Sequence, residues 1–394
     1  MSSSNLVRVT AIPEVTYGVT PGAGNFDTVR FTSESLSGTP ETVASQQIRT
    51  DRQHSGQIVT GLTVGGDIAF ELAKESSLDS LMESAMYSTW QTQALVTVDL
   101  TINVSLKTIT RSTGSFSGGL VVGDFVTLAG FSNAVNNVIV MVTEVTSATV
   151  IKFVGPSTMI DETGTGTTYK RADKLAIGTT KKSFSMEKAF LDLTTKAIIY
   201  RGMIVSKLDL NVAFGALITG SIGFSGNDYI TADAANEFIT DGRTINAPAT
   251  TQTFNGSIDM PFLATSALGA LDASGLDVQN LSLSLNNNLS AQNVIGDIAP
   301  RDYSAGTAQI DVKMGAYLKD PAWALLATKL TQDPFAFGFM LKNSGGWYGF
   351  YLPAIQVSFP DPASGGQNQD ISLDMSGTAK VGASGESALY IYRS

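Results

Sequence analysis

Acidic side chains recur on the polar side of segments in which apolar and polar residues alternate. Asp67 and Glu71 lie on one such segment, Asp209 lies on a second, and Asp311 lies on a third. The alternation predicts β-strands whose polar side chains share one face. Two carboxylates can act as general acid and general base when they face a cleft about 5–10 Å apart. Nothing in their spacing selects such a pair, so a carboxylate-based hydrolase has little support.

Two other interpretations of these acidic strand faces stay open. In the first, the carboxylates lie on solvent-facing strands and have no further role. In the second, the faces line a pore, and their charge repels DNA phosphates so that a duplex slides without sticking. Lys207 and Lys313 lie on the same faces and weaken this repulsion. The predicted lumen-facing residues are Asp67, Glu71, Asp209 and Asp311.

The sequence offers few other groups for catalysis or metal binding. His54 is the single histidine, and it lies in a polar loop without a nucleophile elbow, which indicates a solvated side chain. No glycine-rich phosphate loop follows a predicted strand. We therefore expect no catalytic residue, no metal and no cofactor. Five aromatic residues are expected in a core or an interface rather than in a ligand cage: Trp323, Trp347, Tyr348, Phe350 and Tyr351.

The strands that carry the carboxylates have similar counterparts later in the chain. The first strand of each copy leads into a helical pattern of apolar residues, at 78–86 and at 323–330. This shared order predicts two similar β-sandwich or half-barrel units, each with a flanking α-helix. The three pairs of similar segments are 66–72 with 308–314, 202–208 with 352–358, and 221–226 with 370–375.

The separation between similar segments changes along the chain. It is 242 positions for the first pair (309 − 67), 150 for the second (355 − 205) and 149 for the third (371 − 222). The first copy therefore holds 92 residues (242 − 150) that the second lacks, which predicts an inserted small β-barrel or sandwich. The predicted organisation is a first unit over 1–90 and 182–225, an insert over 91–181, a connection over 226–253 and a second unit over 254–394.

Composition argues against several functional classes. The 394 residues carry a net charge of −10 and no basic run, which argues against nucleic-acid binding through counterion release. Only 15 % of residues are charged, a surface that is typical of β proteins that lie against neighbours. We expect no membrane span and no secretory signal, since neither apolar pattern occurs. The absence of cysteine predicts folding without disulfides in a reducing cytoplasm.

Several segments together resemble the tail tube (major tail) proteins of long, non-contractile-tailed bacteriophages. The glycine-bounded strand at 65–72 and its following helix belong to this resemblance, which covers most of the chain outside 91–181. The other segments that carry it are EVTYGVTP at 14–21, RFTSESL at 30–36, SQQIRTDR at 45–52, GWYGFYLPAI at 346–355 and GGQNQD at 365–370.

The resemblance implies a structural virion protein, not an enzyme, made in the host bacterial cytoplasm and located in the virion tail. Its subunits would form stacked rings around the channel that delivers the genome, with DNA passing through the lumen without specific binding. Two units per chain imply a homotrimeric, pseudo-hexameric ring, and a homohexamer stays open as the alternative. The tape measure protein and tail-end proteins would be assembly partners, no membrane is involved, and the insert would project outward.

In such an assembly the polar segment 40–59 would reach toward the next subunit. The predicted inter-ring or inter-subunit contacts are Tyr17, Arg49, Asp51 and Arg52. A virion or cell-surface adhesin that binds receptors is the alternative function, since β content and clustered aromatic residues also fit a glycan-binding surface. That alternative predicts short repeated modules or a trimeric coiled coil, and the sequence shows neither.

Overall fold

The computed structural model describes residues 3–394 except 52, 54–55, 117–118, 194–195, 233–242, 267–270, 274, 327–330, 359 and 365. Strands make up 50 % of the chain and helices 7 %, so the predicted mainly β class is confirmed. His54 and Arg52 lie outside the described residues.

The elements fall into three consecutive groups. The first group is β1 (Val7–Pro13), β2 (Phe26–Val29), β3 (Ser33–Glu34), β4 (Ser37–Ala44), β5 (Gln57–Glu71) and α1 (Ser76–Met86), after a short 3-10 turn at Ser4–Leu6. The second group is β6 (Leu95–Thr97), β7 (Leu100–Asn103), β8 (Thr108–Arg111), β9 (Phe125–Ala129), β10 (Ile139–Val145), β11 (Val150–Val154), β12 (Glu162–Gly164) and β13 (Thr168–Arg171), with a 3-10 turn at Ala134–Asn136. The third group is β14 (Asp173–Ala176), β15 (Phe184–Phe190), β16 (Lys196–Ala213), β17 (Thr219–Gly226), β18 (Asp228–Ala232), β19 (Ile245–Asn246), β20 (Leu263–Thr265), β21 (Asp272–Ala273), β22 (Val278–Asn286), β23 (Ser290–Ala291), β24 (Tyr303–Ser304), β25 (Gln309–Tyr317), α2 (Asp320–Leu326), β26 (Phe335–Asn343), β27 (Gly346–Ser358), β28 (Ser372–Ala379) and β29 (Tyr390–Arg393).

Eight strands form one antiparallel main sheet in the order β4–β5–β17–β16–β22–β25–β28–β27. In most of these strands alternation places one side in the core and the other in solvent, as the sequence pattern predicts, whereas the edge strand β4 has no buried residue. In β22, for example, Leu281, Leu283 and Leu285 are buried, while Ser282 and Ser284 face the other side. The apolar side of the whole sheet belongs to one continuous core.

Two strands connect the main sheet to a second layer because each is long enough to run through both. The first half of β16 pairs with β15 and β18, and β1 pairs with β15 and β2. The first part of β27 likewise pairs with β26 and β29, and β20 pairs with β26 and β21. The N-terminal segment is therefore not a free arm from residue 7 onward, since Val9 and Ile12 are buried.

The two halves of the chain have the same ladder order, with β1, β2, β4, β5, β15, β16, β17 and β18 corresponding to β20, β21, β22, β25, β26, β27, β28 and β29. Both halves also contain the same bulge. Phe184 and Met186 oppose Met203 and Tyr200, and Phe335 and Phe337 oppose Ile355 and Leu352, so between the paired positions one residue faces two in each half.

The shared bulge shows which residues of the two halves are structurally equivalent. Met203 corresponds to Ile355, an offset of 152 positions (355 − 203). From this bulge the pairing can be followed from β16 through β17 to β5, and from β27 through β28 to β25. It makes Gly65 correspond to Asp311, an offset of 246 positions (311 − 65). The first half is thus longer by 94 residues (246 − 152), close to the 92 expected from the sequence. Polar side chains thus occupy equivalent positions in β5 and β25, but their charges differ, since Asp67 corresponds to Lys313.

The second group of strands forms a separate eight-stranded sheet in the order β12–β7–β8–β11–β10–β9–β13–β6. Its end strands β12 and β6 do not pair with each other, so the sheet is open within the described residues. It encloses its own core, which includes Ile109, Val140 and Val142. We refer to this sheet and its loops as the insert sheet.

The insert sheet is attached to the second half of the chain by a buried ion cluster. Asp124 is 1 % exposed and accepts ion pairs from Arg171 at 3.1 Å and Lys174 at 3.1 Å. The hydroxyl of Tyr392 lies 3.2 Å from the same carboxylate. Strand β14 continues this attachment by pairing with β29 over four residues.

Helix α1 covers the core side of the main sheet. Its residues Leu78, Leu81, Met82, Ala85 and Met86 are buried, and this spacing is that of one helical face. The helix ends at Tyr87, whose left-handed φ of 51° lets its N–H bond the last turn. The helix predicted at 78–86 is confirmed. In α2, Leu325 is buried but Trp323 is 61 % exposed, so Trp323 is not a core residue.

A second buried ion cluster joins α1 to the C-terminal strand. Asp79, 5 % exposed, pairs with Lys74 and with Arg393, whose Nη1 lies 2.8 Å from the carboxylate. The hydroxyl of Tyr348 donates to the same carboxylate at 2.7 Å. Burial raises the pKa of Tyr348 well above its ordinary value, and burial lowers that of Lys74. We call this group the Asp79 cluster.

Substituting Asp79→Asn is expected to lower the free energy of unfolding by about 3–5 kcal/mol, because Lys74 then loses its ion-pair partner and Arg393 loses the shorter of its two carboxylate contacts, retaining Asp173 at 3.7 Å. Chemical denaturation followed by fluorescence measures this loss. The control is Asp277→Asn, which breaks the exposed pair with Lys319 and should cost much less stability. Equal losses for the two variants would contradict the assigned role of the Asp79 cluster.

Glu75 predicts a pH dependence of stability. Desolvation by burial raises the pKa of Glu75 from 4.5 to about 7. The folded chain therefore binds a proton that the unfolded chain releases, and stability falls as pH rises from about 4.5 through 7. Glu75→Gln should remove this dependence, so that the variant unfolds at a higher temperature than the parent at pH 8 but not at pH 4.5. A constant difference between the two melting temperatures across this range would refute the assignment.

Candidate functional site

The solvent side of the main sheet forms one continuous polar surface that crosses both halves of the chain. We call it the polar face. Antiparallel register aligns its side chains in rows that run across the strands. One row passes from Ala69 through Ser221, Asp209, Ser284 and Asp311. The row continues to Thr378 and Gln356, and neighbouring rows contain Asp67 and Glu71.

All four predicted lumen-facing residues therefore lie on this one face: Asp67, Glu71, Asp209 and Asp311. Strand β22 separates Asp209 from Asp311, which corresponds to about 10 Å at the usual spacing between strands. Asp311 lines an open depression of about 510 Å³ beside the end of β27, and the residues that line it include no second carboxylate. This arrangement gives a carboxylate-based hydrolase no facing pair.

Short polar side chains dominate the polar face. On β5, β17, β16, β22, β25 and β28 its charged residues are five carboxylates and two lysines, a net charge of −3 (2 − 5). The remaining positions are mostly Ser, Thr, Asn and Gly. The seven charged residues are Asp67, Glu71, Asp209, Asp311, Asp374, Lys207 and Lys313.

Several polar side chains on this face are already paired with each other. Lys207 lies 2.7 Å from Asp209, which also accepts a hydrogen bond from Ser221 at 3.2 Å. Asp311 accepts bonds from Thr378 at 2.8 Å and from Gln309 at 2.8 Å. These pairings leave the surface with few strong donors for an anionic ligand.

The predicted contact residues lie at two separate places. Arg49 and Asp51 lie in the exposed loop between β4 and β5, where they form a bidentate pair at 2.9 and 2.5 Å. Arg52 is in the same loop, outside the described residues. Tyr17 instead packs within its own chain, with its ring beneath Lys181. Burial, followed by the nearby Tyr303 and Asp302, raises the pKa of Tyr17 beyond its ordinary range.

Glu14 explains how the loop that carries Tyr17 is held. Its carboxylate accepts hydrogen bonds from the N–H groups of Gly18 at 2.8 Å and Gly202 at 2.9 Å. It also accepts them from the hydroxyls of Ser183 at 2.6 Å and Ser185 at 2.7 Å. Sequence patterns did not single out this carboxylate, because three of its four partners lie about 170–190 positions away.

The aromatic residues near the C-terminal end form core rather than a ligand cage. Trp347, Tyr348, Phe350 and Tyr351 are each 5 % exposed or less. Phe350 stacks on Phe339 with ring centroids 4.9 Å apart. Trp323 is the exception and is exposed on α2.

The sequence model of the phage tail tube protein family matches residues 4–379, nearly the whole chain. The chain belongs to the phage tail tube protein family. The predicted resemblance is confirmed at this level, and the tail tube protein is a structural component of the virion tail. No curated protein matches its sequence. No helix in the described part of this tail tube protein is long and apolar enough to cross a membrane.

The family match spans the insert as well as both halves of the tail tube protein. It assigns no role to single residues, so the polar face and the loop between β4 and β5 are assigned from geometry alone. Sequence alternation identified the side chains of the polar face. It did not identify Asn287, a buried amide that donates to Ala85 O and Val205 O at 3.0 Å each and so ties α1 to β16.

Proposed function

We propose that this tail tube protein assembles into rings that stack into the tube, and that the polar face lines the channel through which the genome passes. The continuity of the polar face across both halves carries this proposal. A channel wall needs a surface without gaps, and the ladder between β16 and β22 joins the two halves into one sheet.

The chemistry of the polar face suits the passage of DNA. Proteins that hold DNA neutralise its phosphates with lysine and arginine, which releases counterions. The polar face has a net charge of −3 on the six strands named above, and its two lysines lie among carboxylates. A duplex near this wall would be repelled weakly and would find few donors to hold it.

The duplicated ladder order supports a ring of three chains with six similar units. We propose that the first unit comprises 1–90 and 182–225, that 226–253 is a connection, and that 254–394 is the second unit. The insert over 91–181 would then lie outside the ring, since its strands β6 to β13 form a sheet of their own. A homohexamer would need twelve units around one channel.

In the virion of a long, non-contractile-tailed phage, the tube would contact the tape measure protein during assembly and tail-end proteins at its tip. The chain would be made in the host cytoplasm and would need no cofactor and perform no catalysis. The loop that contains Arg49, Asp51 and Arg52 would reach a neighbouring ring. Tyr17 would support such contacts indirectly by fixing the loop at 14–18.

Cryo-electron microscopy of the purified protein tests the assembly. We expect rings or tubes with three-fold symmetry, six similar inner lobes and a central hole wide enough for a DNA duplex to pass. Six-fold rings with twelve lobes would keep the tube but remove the three-chain arrangement. Isolated particles without a hole at any concentration would overturn the proposal.

The double variant Asp67→Lys and Asp311→Lys tests the channel wall. It raises the charge of the polar face by four units per chain, so passing DNA should be retained and phage titre should fall by roughly tenfold or more. The measurements are titre and the rate of DNA ejection, with tube assembly checked by microscopy.

The matched control for this variant is Glu144→Lys with Asp272→Lys, which adds the same charge away from the polar face. Both residues form exposed ion pairs, with Lys152 and Lys107, so little stability should be lost. If intact tubes of both variants eject DNA at the same rate, the polar face does not line the channel.

A further inference from the structure

The joint between the two halves of the chain is an antiparallel ladder. Residues 207–213 of β16 pair with residues 280–286 of β22, from Lys207 opposite Asn286 to Ala213 opposite Asn280. The joint buries Leu281, Leu283 and Leu285, which are 5 % exposed or less. Because the halves have the same ladder order, each partner in this joint has a counterpart elsewhere in the chain.

The counterpart of β22 is the strand that pairs with β5, namely β4 and the short β3 before it. The register with β5 makes Thr39 equivalent to Asn286 and Ser37 equivalent to Ser284. In the described residues β4 pairs with β5 on one side and with no strand on the other. Its residues are exposed or half-buried throughout, in contrast to β22.

The counterpart of the paired part of β16 begins at the end of β27. Val205 opposes Phe224, and Val357 opposes Gly377, which makes Val205 equivalent to Val357. The next paired residue is Lys207 in β16 but Ser358 in β27, because the ladder of β16 skips one residue at a bulge. Within the described strands, the edge of β27 at Gln356–Ser358 that faces away from β28 has no strand beside it.

From these two uncovered edges we infer that β4 of one chain pairs with the end of β27 of a second copy, in the register that β22 takes on β16. This inference rests on the proposed ring, of which it specifies the contact between chains. It places Thr39 of one copy opposite Ser358 of the next, as Asn286 lies opposite Lys207. The polar face would then continue from chain to chain without a break.

A proline in β4 fits this register. Pro40 corresponds to Asn287, whose N–H donates to the carbonyl of Ser206 at 2.9 Å across the internal joint. Proline has no N–H to donate. Ser206 is the residue that the bulge adds to β16, and β27 has no equivalent of it. In the inferred joint, the N–H that Pro40 lacks would have bonded the carbonyl of a residue equivalent to Ser206. Since β27 also lacks that residue, no carbonyl is left without its partner there.

Two prolines after β27 fit as well. Pro360 and Pro362 correspond to Asp209 and Asn211 when the register is extended past Ser358. Hydrogen-bonded pairs alternate along an antiparallel ladder. The carbonyl of Ser206 accepts a bond from β22, and backbone groups point alternately to the two sides of a strand. The N–H groups of Asp209 and Asn211 therefore point to the opposite side, toward β17. The missing donors of Pro360 and Pro362 would face away from the second copy.

Disulfide cross-linking tests the register, because the chain has no cysteine of its own. Residues that oppose each other directly in an antiparallel pair have Cα atoms about 4.5–5.5 Å apart, within the range of about 4.4–6.8 Å that a disulfide spans. Thr39→Cys with Ser358→Cys should yield covalently linked copies on oxidation of assembled rings, seen by non-reducing electrophoresis. Ser37→Cys with Ser358→Cys shifts the register by two residues and should yield at least about fivefold less.

Lys207→Cys with Asn286→Cys provides the positive control, since this pair should close within a single chain. If the control closes and rings are present but the Thr39–Ser358 pair does not link copies, the inferred joint is wrong while the ring stands. Linked copies without rings would support the joint and count against the tube. A higher yield from the Ser37–Ser358 pair would overturn the register.

Discussion

The ladder between β16 and β22 is the interaction on which the rest of the architecture depends. Seven opposed residue pairs join strands from the two halves of the chain, and they convert two small sheets into one. Without this joint, the leucines of β22 would face water and the polar face would be divided. Asn287 strengthens the same place by bonding both α1 and β16 from a buried position. The core, the polar face and the relation between the halves all follow from it.

Two buried carboxylates connect parts of the chain that are remote in sequence. Asp79 binds α1 to the strand that ends the second half, and Asp124 binds the insert sheet to the same strand. Both carboxylates accept a tyrosine hydroxyl and two cations, so each buried charge is compensated. The insert is thus attached to the second half, although it interrupts the first.

Alternation of residues was enough to predict the main strands and the polar face, and the similarity between segments predicted the extra length of the first half. Period two holds over 67–71 of β5, 207–213 of β16 and 309–314 of β25, because there each strand has one wet side and one dry side. Register was harder to predict, since a bulge in β16 adds a residue that similarity between segments does not reveal. Segments 221–226 and 370–375 were paired from sequence, whereas the ladders make Phe224 equivalent to Gly377.

The ion clusters could not be predicted because their members are remote in sequence. Asp79 on an otherwise apolar helix face was the one available signal, and nothing near it in the chain indicated Arg393 or Tyr348. Trp323 was expected in a core or an interface, and within the described part of α2 its side chain is exposed on the surface of the chain. Sequence periodicity predicts which side of a helix or strand is buried. It does not predict which residue, remote in sequence, neutralises a buried charge.

The separation of Asp79 from Arg393 has a consequence for synthesis. The two residues are 314 positions apart. At about 5–20 residues per second, a ribosome needs roughly 15–60 s to make the intervening chain. During that interval α1 holds a carboxylate whose arginine does not yet exist. Until then Lys74 is the cation that can pair with Asp79, and α1 gains its second ion pair only after the C-terminal strand has been made.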